Sequence, residues 1–335
     1  MNPVAFKKLQ KKLKPALLPA SFAYAAFLNL RDIYYSNKKP REFEGAKIIS
    51  VGNIVVGGIG KTPLVIELAK FFKNYGRTCI ITNNYPLKDK LIHMVSIDGN
   101  IFKKPPKVSD EPYMIAKKVN ATVIASKNRE AAIELSLGLK AKFIILDDAL
   151  HKRRIKKDLE ICVLDKYEPF GNGLYLPAGT LRDSKKALNR CDIVACIDKG
   201  GKSETKTDKS IDCIDVKMRV EGFFNKYGEG IDAKGKKAIA FAGIGNPEKF
   251  KETLLGEGVE IVGFHAFEDH HFYTEEEVEL LIKEKEEKGA EFLITTFKDF
   301  VKLEDYEEIV YLDISLDIEN LKEHLLRVVD EKRDN

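Results

Sequence analysis

Lys61 and Thr62 follow a glycine-rich turn, and Asp147 and Asp148 close an apolar run. A cation, a hydroxyl and two carboxylates placed in this way are what a chain needs to hold a nucleoside triphosphate and its metal. The turn reads Ser50-Val51-Gly52-Asn53-Ile54-Val55-Val56-Gly57-Gly58-Ile59-Gly60-Lys61-Thr62-Pro63. Gly57, Gly58 and Gly60 let the backbone N–H groups curl inward, and the N-terminus of a following helix adds partial positive charge. Val55, Val56, Gly57, Gly58, Ile59, Gly60, Lys61 and Thr62 are therefore the expected phosphate cradle. In it Lys61 reaches the β/γ-phosphates and the Thr62 hydroxyl is a ligand for Mg²⁺.

The strict G-x-x-x-x-G-K-[ST] pattern fails at its first position, which is Val55, so the match rests on Gly60-Lys61-Thr62 and the added glycines. The double glycine resembles the deviant loop of ParA-like ATPases, but Val56 stands where that group carries a signature lysine. The second half of the site has the Walker-B form: Phe143-Ile144-Ile145-Leu146 reads as a buried strand that delivers Asp147 and Asp148 at its carboxyl edge.

The elements that must position these groups follow from periodicity. Ile48, Ile49 and Val51 form a strand before the loop, and Leu64, Leu68, Phe71 and Phe72 share one face of a helix after it. Thr78 to Thr82, Ala121 to Ala125, Ile161 to Leu164 and Ile193 to Ile197 read as further strands. Ser109-Asp110-Glu111-Pro112 is a helix start with two acids in its first turn; the plain reading is that they complement the helix dipole. Asn83-Asn84-Tyr85 opens an irregular stretch, and Lys199 to Lys209 reads as a linker. Ile214, Val216, Met218 and Val220 alternate with polar residues, which suggests a half-exposed strand in a two-stranded ribbon. A second α/β unit follows from about Lys236, with strands at Ala238 to Ala242, Val259 to Phe264, Phe292 to Thr295 and Ile309 to Leu312. Its helices start at Asn246-Pro247 and at Thr274, where Glu277 completes a capping box. The expected segments are 1–40, a membrane-interface helix; 41–200, a P-loop domain; 201–235, a linker; and 236–335, a smaller α/β domain.

Composition sets outer bounds. At 335 residues and 44% hydrophobic the chain can build two cores, and a formal charge of +4 gives no warrant for a nucleic-acid partner. Five cysteines without a C-x-x-C pair read as reduced thiols. The basic charge gathers at the start, in Lys7, Lys8, Lys11, Lys12, Lys14, Arg31, Lys38, Lys39 and Arg41, around an apolar run from Ala16 to Leu30. As a helix that run is about 22 Å long, short of a bilayer's roughly 30 Å core. Ala23-Tyr24-Ala25 mimics a signal-peptidase site but lies inside the run. A helix in the membrane interface, with Pro19 in its first turn and Leu17, Tyr24, Leu28 and Tyr35 on one face, is the reading preferred over an ordinary core helix with a basic tail.

Taken together, the motifs resemble the tetraacyldisaccharide 4′-kinase family. The similar stretches are Ser50 to Asn53 with Gly57 to Pro63, Asp110 to Tyr113, Ala125-Ser126 with Arg129, Asp147-Asp148, and Leu176 to Gly179 with Leu181-Arg182. They continue with Phe241 to Pro247, Asp269-His270-His271, and Thr295-Thr296 with Lys298-Asp299. The resemblance implies two α/β/α domains joined by a two-stranded linker. It implies ATP and Mg²⁺ as cofactors and phosphoryl transfer to the 4′-hydroxyl of a tetraacylated glucosamine disaccharide 1-phosphate, giving lipid IVA. It implies Asp110 as the base, oriented by His270, and Thr62 with Asp147 or Asp148 at the metal. Asn53, Tyr85, Arg129, Arg182 and His271 would meet the substrate, with Arg129 and Arg182 on phosphate charge. An anionic glycolipid, a membrane surface at the cytoplasmic face of the inner membrane, and no obligate protein partner complete the expectation. Departures are Ala149-Leu150-His151-Lys152 after the aspartates, Asn83-Asn84 before Tyr85, and Asp183 where Glu is common. A P-loop ATPase or GTPase that switches a protein partner, or a non-catalytic membrane-binding homologue, are the alternatives.

Overall fold

The computed structural model describes residues 3–199 and 211–330 apart from Pro86 and residues 88–90, with the side chains of residues 3–12 and of Lys14 left aside. The linker expected at Lys199 to Lys209 thus lies outside the described residues save for Lys199, as do the side chains of Lys7, Lys8, Lys11, Lys12 and Lys14. The chain is α/β and forms two compact units. The larger is Leu9–Arg219 with Leu316–Asn335, and the smaller is chiefly Val220–Ser315.

In the larger unit α1 (Pro3–Ser36) leads into β1 (Lys47–Gly52), α2 (Lys61–Lys73), β2 (Thr78–Thr82), β3 (His93–Ile97), β4 (Asn100–Ile101) and α3 (Asp110–Lys118). Then come β5 (Thr122–Ala125), α4 (Arg129–Gly138), β6 (Phe143–Asp147), β7 (Leu159–Asp165), β8 (Ile193–Asp198) and β9 (Ile214–Phe224). The strands lie in the order β9-β8-β7-β1-β6-β2-β5-β3-β4. They run parallel from β9 to β5, while β3 is antiparallel to β5 and β4 to β3. Parallel strands covered on both faces must be apolar throughout, and β1, β2, β5 and β6 are buried along almost their whole length. On one face α2 packs Leu64, Leu68 and Phe72 against the sheet, with the Phe72 ring stacked 4.8 Å from Phe143. Burial of a ring of that size stabilises the packing by about 2–3 kcal/mol. The other face carries Ile48, Ile81, Ile124, Ile144 and Leu146, closed by Ala132 and Ile133 of α4. The progression of strands across the sheet reverses at β1, with β2 and β5 laid to one side and β7, β8 and β9 to the other. Open α/β sheets hold ligands outside the strand ends at such a point.

α1 starts earlier than Pro19, and both Pro15 and Pro19 lie within it. The two rings are four residues apart on the solvent side, where carbonyls deprived of an N–H partner can bond water instead. One side of the helix is docked on the unit: Leu28 is buried, the Ser21 hydroxyl donates to Tyr175 O (2.9 Å) and accepts from Ala178 N (2.9 Å), and the Tyr24 hydroxyl donates to Arg182 O (2.9 Å). Arg31 is paired with Asp183 at 2.6 Å, and Asp32 with Arg153 at 2.5 Å. The opposite side leaves Phe22, Phe27, Leu30, Ile33 and Tyr34 exposed. Among the described residues no helix is long and apolar enough to cross a membrane.

The smaller unit holds β10 (Gly230–Ile231), β11 (Lys237–Ala242), α5 (Pro247–Gly256), β12 (Glu260–Ala266), α6 (Glu275–Glu287), β13 (Phe292–Thr296), the short α7 (Phe297–Phe300) and most of β14 (Ile309–Asp317). β12-β11-β13-β14 are parallel. Asn246 caps α5, and Thr274 with Glu277 forms the expected capping box of α6. The chain leaves the larger unit within β9 and re-enters it within β14, where Arg219 is paired with Asp317 and the Ser315 hydroxyl with Glu221. The last described element is α8 (Lys322–Asp330), which buries Leu325 and Val328. One expectation is corrected here. Cys196 of β8 and Cys213 are joined as a disulfide, while Cys79, Cys162 and Cys191 are free thiols. Immediately before β9, Cys213 comes within 5.9 Å, Cα to Cα, of the neighbouring parallel strand, a proximity that a 17-residue separation hides in the sequence.

Candidate active site

β1 and β6 are neighbours in register Val51↔Asp147, so the loop after one and the carboxylates ending the other open at the same sheet edge. Close approach shapes the entry: a Cβ on Gly52 would stand 2.5 Å from the Leu150 Cβ and 2.7 Å from its backbone N. The loop itself is anchored by Val56 N donating to Thr180 O (2.8 Å) and by Leu64 N closing onto Gly60 O (3.2 Å). Gly60 caps α2 at φ 102°, a conformation that favours glycine, while Gly57 and Gly58 have open space where a Cβ would lie. Val56, Gly57 and Gly58 are exposed, whereas Val55 and Ile59 are buried.

Lys61 Nζ lies 3.2 Å from Asp148 and 3.3 Å from the Asn53 side-chain oxygen. Arg182 grips the same two partners, with its guanidinium forked on both Asp148 oxygens and on Asn53. Asp148 itself has φ 52°, a left-handed conformation uncommon for a residue other than glycine. Burial pushes its carboxyl upward, but the Arg182 hydrogen bonds and the Lys61 charge outweigh that and hold it below the usual aspartate range.

Asp147 is the converse case. It is buried, its Oδ2 accepts from the Thr82 hydroxyl at 2.8 Å, and its Oδ1 has no hydrogen-bond partner. Burial, then the Glu111 and Asp148 charges, push its carboxyl up to about 7 against the pull of Lys61 and Thr82. Glu111 is a residue that sequence reasoning treated only as a dipole partner. The Thr62 hydroxyl donates to it at 2.5 Å, so the first turn of α3 takes part in the cluster. Asp110, beside it, is 3% exposed and accepts from Glu111 N at 3.0 Å. Asn84 Oδ1 fixes the approach to that turn by accepting from Ser109 N at 2.9 Å.

Arg129 departs from expectation. Its guanidinium is buried and donates to Ser126 O (3.0 Å) and Asp147 O (2.7 Å), which places it behind the carboxylates as a brace for their strand end. Tyr85 is exposed just beyond β2. His270 and His271 belong to the smaller unit, at the carboxyl end of its sheet. His270, at φ 63°, has Nε2 3.3 Å from Lys298 Nζ, and its N–H donates to Gly243 O at 3.2 Å. His271 is stacked on Phe267 and bonded to Glu277 at 2.9 Å, so its ring is committed to its own unit. Buried Asp299 accepts from Gly243 N (3.0 Å) and from Thr296 (2.9 Å), which draws three of the motifs of this unit together.

A sequence model of the family described as Tetraacyldisaccharide-1-P 4'-kinase matches residues 13–330. The chain belongs to the tetraacyldisaccharide 4′-kinase family. Curated relatives of that name include one from Syntrophus aciditrophicus, 34% identical over 91% of this chain and 90% of its own length. Another, from Rickettsia canadensis, is 37% identical over 82% of each. A crystal structure of LpxK from Aquifex aeolicus in complex with ATP superposes with a TM-score of 0.76 at 30% identity, covering 95% of this chain and 99% of that one. The family match covers the loop, the aspartates, α3 and the smaller-unit motifs alike, so the P-loop departure at Val55 lies within a 4′-kinase.

Proposed function

We propose that the chain transfers the γ-phosphoryl group of ATP to the 4′-hydroxyl of a tetraacylated glucosamine disaccharide 1-phosphate, giving lipid IVA. The observation that carries this reading is the Lys61–Asp148–Arg182–Asn53 network standing beside Thr62, Glu111 and Asp147 at the carboxyl edge of β1 and β6, in a chain that matches the family along its length. In the free protein Lys61 and Arg182 are both paired with the single carboxylate of Asp148; triphosphate oxygens would take over those donors, as phosphoryl transfer requires charge neutralisation more than covalent chemistry. Thr62, the unpartnered Oδ1 of Asp147, and Glu111 suit a hard, oxygen-seeking ion. Mg²⁺ bound there would neutralise charge on the transferring phosphate.

Asp110, buried at the start of α3, is the proposed base for the 4′-hydroxyl proton, and His270 of the smaller unit is a second proposed catalytic residue. The exposed apolar side of α1 is the proposed seat on the cytoplasmic face of the inner membrane, where an acylated substrate resides. The test is transfer of labelled γ-phosphate from ATP to the disaccharide 1-phosphate in mixed micelles, with Lys61→Ala as control. Label should reach lipid with the native chain and not with the folded variant. Lipid-independent ATP turnover with no label in lipid would favour an ATPase that switches a partner.

A further inference from the structure

The antiparallel hairpin β3–β4 at the far edge of the larger sheet has no part in the phosphate site, yet it exposes large apolar side chains. Leu91 is 66% and Phe102 63% exposed, and Ile101 of β4 is exposed as well. The stretch 99–109 that contains the last two carries Lys103, Lys104 and Lys107 and no acidic residue. Lys104 and Lys107 are exposed, and Lys103 Nζ lies 3.1 Å from His93 Nδ1. Lysines and prolines on an edge strand are a usual guard against strand pairing. That accounts for the charges and for Pro105 and Pro106, but it runs against leaving Leu91 and Phe102 in water. Neighbours show that the exposure is selective, since Ile92 and Met94 of the same segment pack on the core beneath the sheet.

The hairpin also lies at a telling level. His93 pairs with Ala125, Ala125 with Thr82, and Thr82 bonds Asp147, so the entry to β3 stands at the same sheet edge as the phosphate loop. After Phe102, whose N–H donates to Val95 O (2.8 Å), the chain climbs to that edge and reaches Ser109, bonded to Asn84. The docked loop beneath α1 is at this edge too, through Thr180 O and Val56 N. Asp98 in the hairpin turn is paired with Arg77, so the apolar side chains are set among lysines with the turn's acid already matched. Such a surface is complementary to an anionic lipid surface: the apolar side chains enter the acyl boundary and the ammonium groups meet phosphates.

We propose that Leu91 and Phe102, with Lys104 and Lys107, form a second membrane contact that seats the 4′-kinase on anionic bilayers independently of α1. This extends the membrane reading of α1 and is separable from it. The sequence contains no tryptophan, so single reporters can be placed without background. In the full chain, Phe102→Trp and Phe22→Trp are each titrated with vesicles containing roughly a third anionic lipid, with and without brominated acyl chains. A blue shift and quenching at position 102 are expected, weakened by up to about fivefold for each lysine in Lys104→Gln and Lys107→Gln backgrounds, and diminished by salt. Response at position 22 alone overturns the hairpin contact and leaves α1 standing. Response at 102 alone sustains the hairpin and removes α1. A shift at 102 that grows with protein concentration in the absence of vesicles overturns the proposal in favour of pairing between copies through the β4 edge.

Discussion

Replacing Asp147 by Asn should stabilise the free protein while abolishing phosphoryl transfer. The native carboxyl is raised from 3.8 to about 7. Between those values the folded chain keeps a proton that the unfolded chain has released, so native stability falls as pH rises from about 4 to 7 and flattens above. At about 1.4 kcal/mol per pH unit, a rise of some three units bounds the cost near 4 kcal/mol at pH 8. Movement of Glu111 and Asp148 would reduce this to about 1–3 kcal/mol. The amide retains an oxygen for the Thr82 hydroxyl and offers N–H groups where Oδ1 now has no partner. For a domain of this size that corresponds to a melting temperature roughly 2–12 °C higher at pH 8. Scanning calorimetry without nucleotide at pH 8 and pH 5 checks it. The advantage should shrink by about two-thirds at pH 5, and Mg²⁺ with ATP should protect the native chain but not the variant. An Asp147→Asn protein no more stable than native at pH 8, or equally favoured at both pH values, would refute the account of repelled, buried charge.

Asp110→Ala and His270→Ala should each lower kcat in steady-state kinetics; an unchanged kcat in either folded variant would remove that residue from the chemistry. Gly52→Ala should cost about 3 kcal/mol in denaturant unfolding, at the upper end of overpacking costs, since the new methyl meets the backbone of Leu150 rather than a yielding side-chain tip. Arg182→Ala releases Asp148 from its fork, so its carboxyl should titrate upward in NMR, and acid tolerance should fall because a depressed carboxyl supports the fold only above its own pKa. Denatured without reductant the chain should show three reactive thiols, and five with it; five in both would disprove the Cys196–Cys213 bond.

Strong local signals were legible wherever one residue type decides the geometry. Gly60-Lys61-Thr62, the capping box at Thr274 and the apolar run ending in Asp147 are of this kind, and each lies where periodicity put it. The hairpin β3–β4 was passed over although Asp98-Gly99 is a turn signal, because β4 is only two residues long and its flanks are lysines and prolines. Partnerships remote in sequence left no trace: Thr62 with Glu111, Arg129 with Asp147 O, and Ser21 with the loop at Tyr175 depend on how parallel strands are ordered. The inward turn of Arg129 was hidden for the same reason, since only the packed strand end supplies the carbonyls that hold it.

The insertion of Val220–Ser315 between β9 and the end of β14 bears on how the chain is made. A ribosome releases the P-loop sheet first, then the smaller unit entire, and only then α8, whose Leu325 and Val328 are among the buried residues of the larger unit. That unit therefore waits for the segment after Ser315 before its burial is complete. Nascent chains stalled near Ser315 should hold a finished inserted unit inside an unfinished host, and truncation after Ser315 should harm the domain made first more than the domain made second.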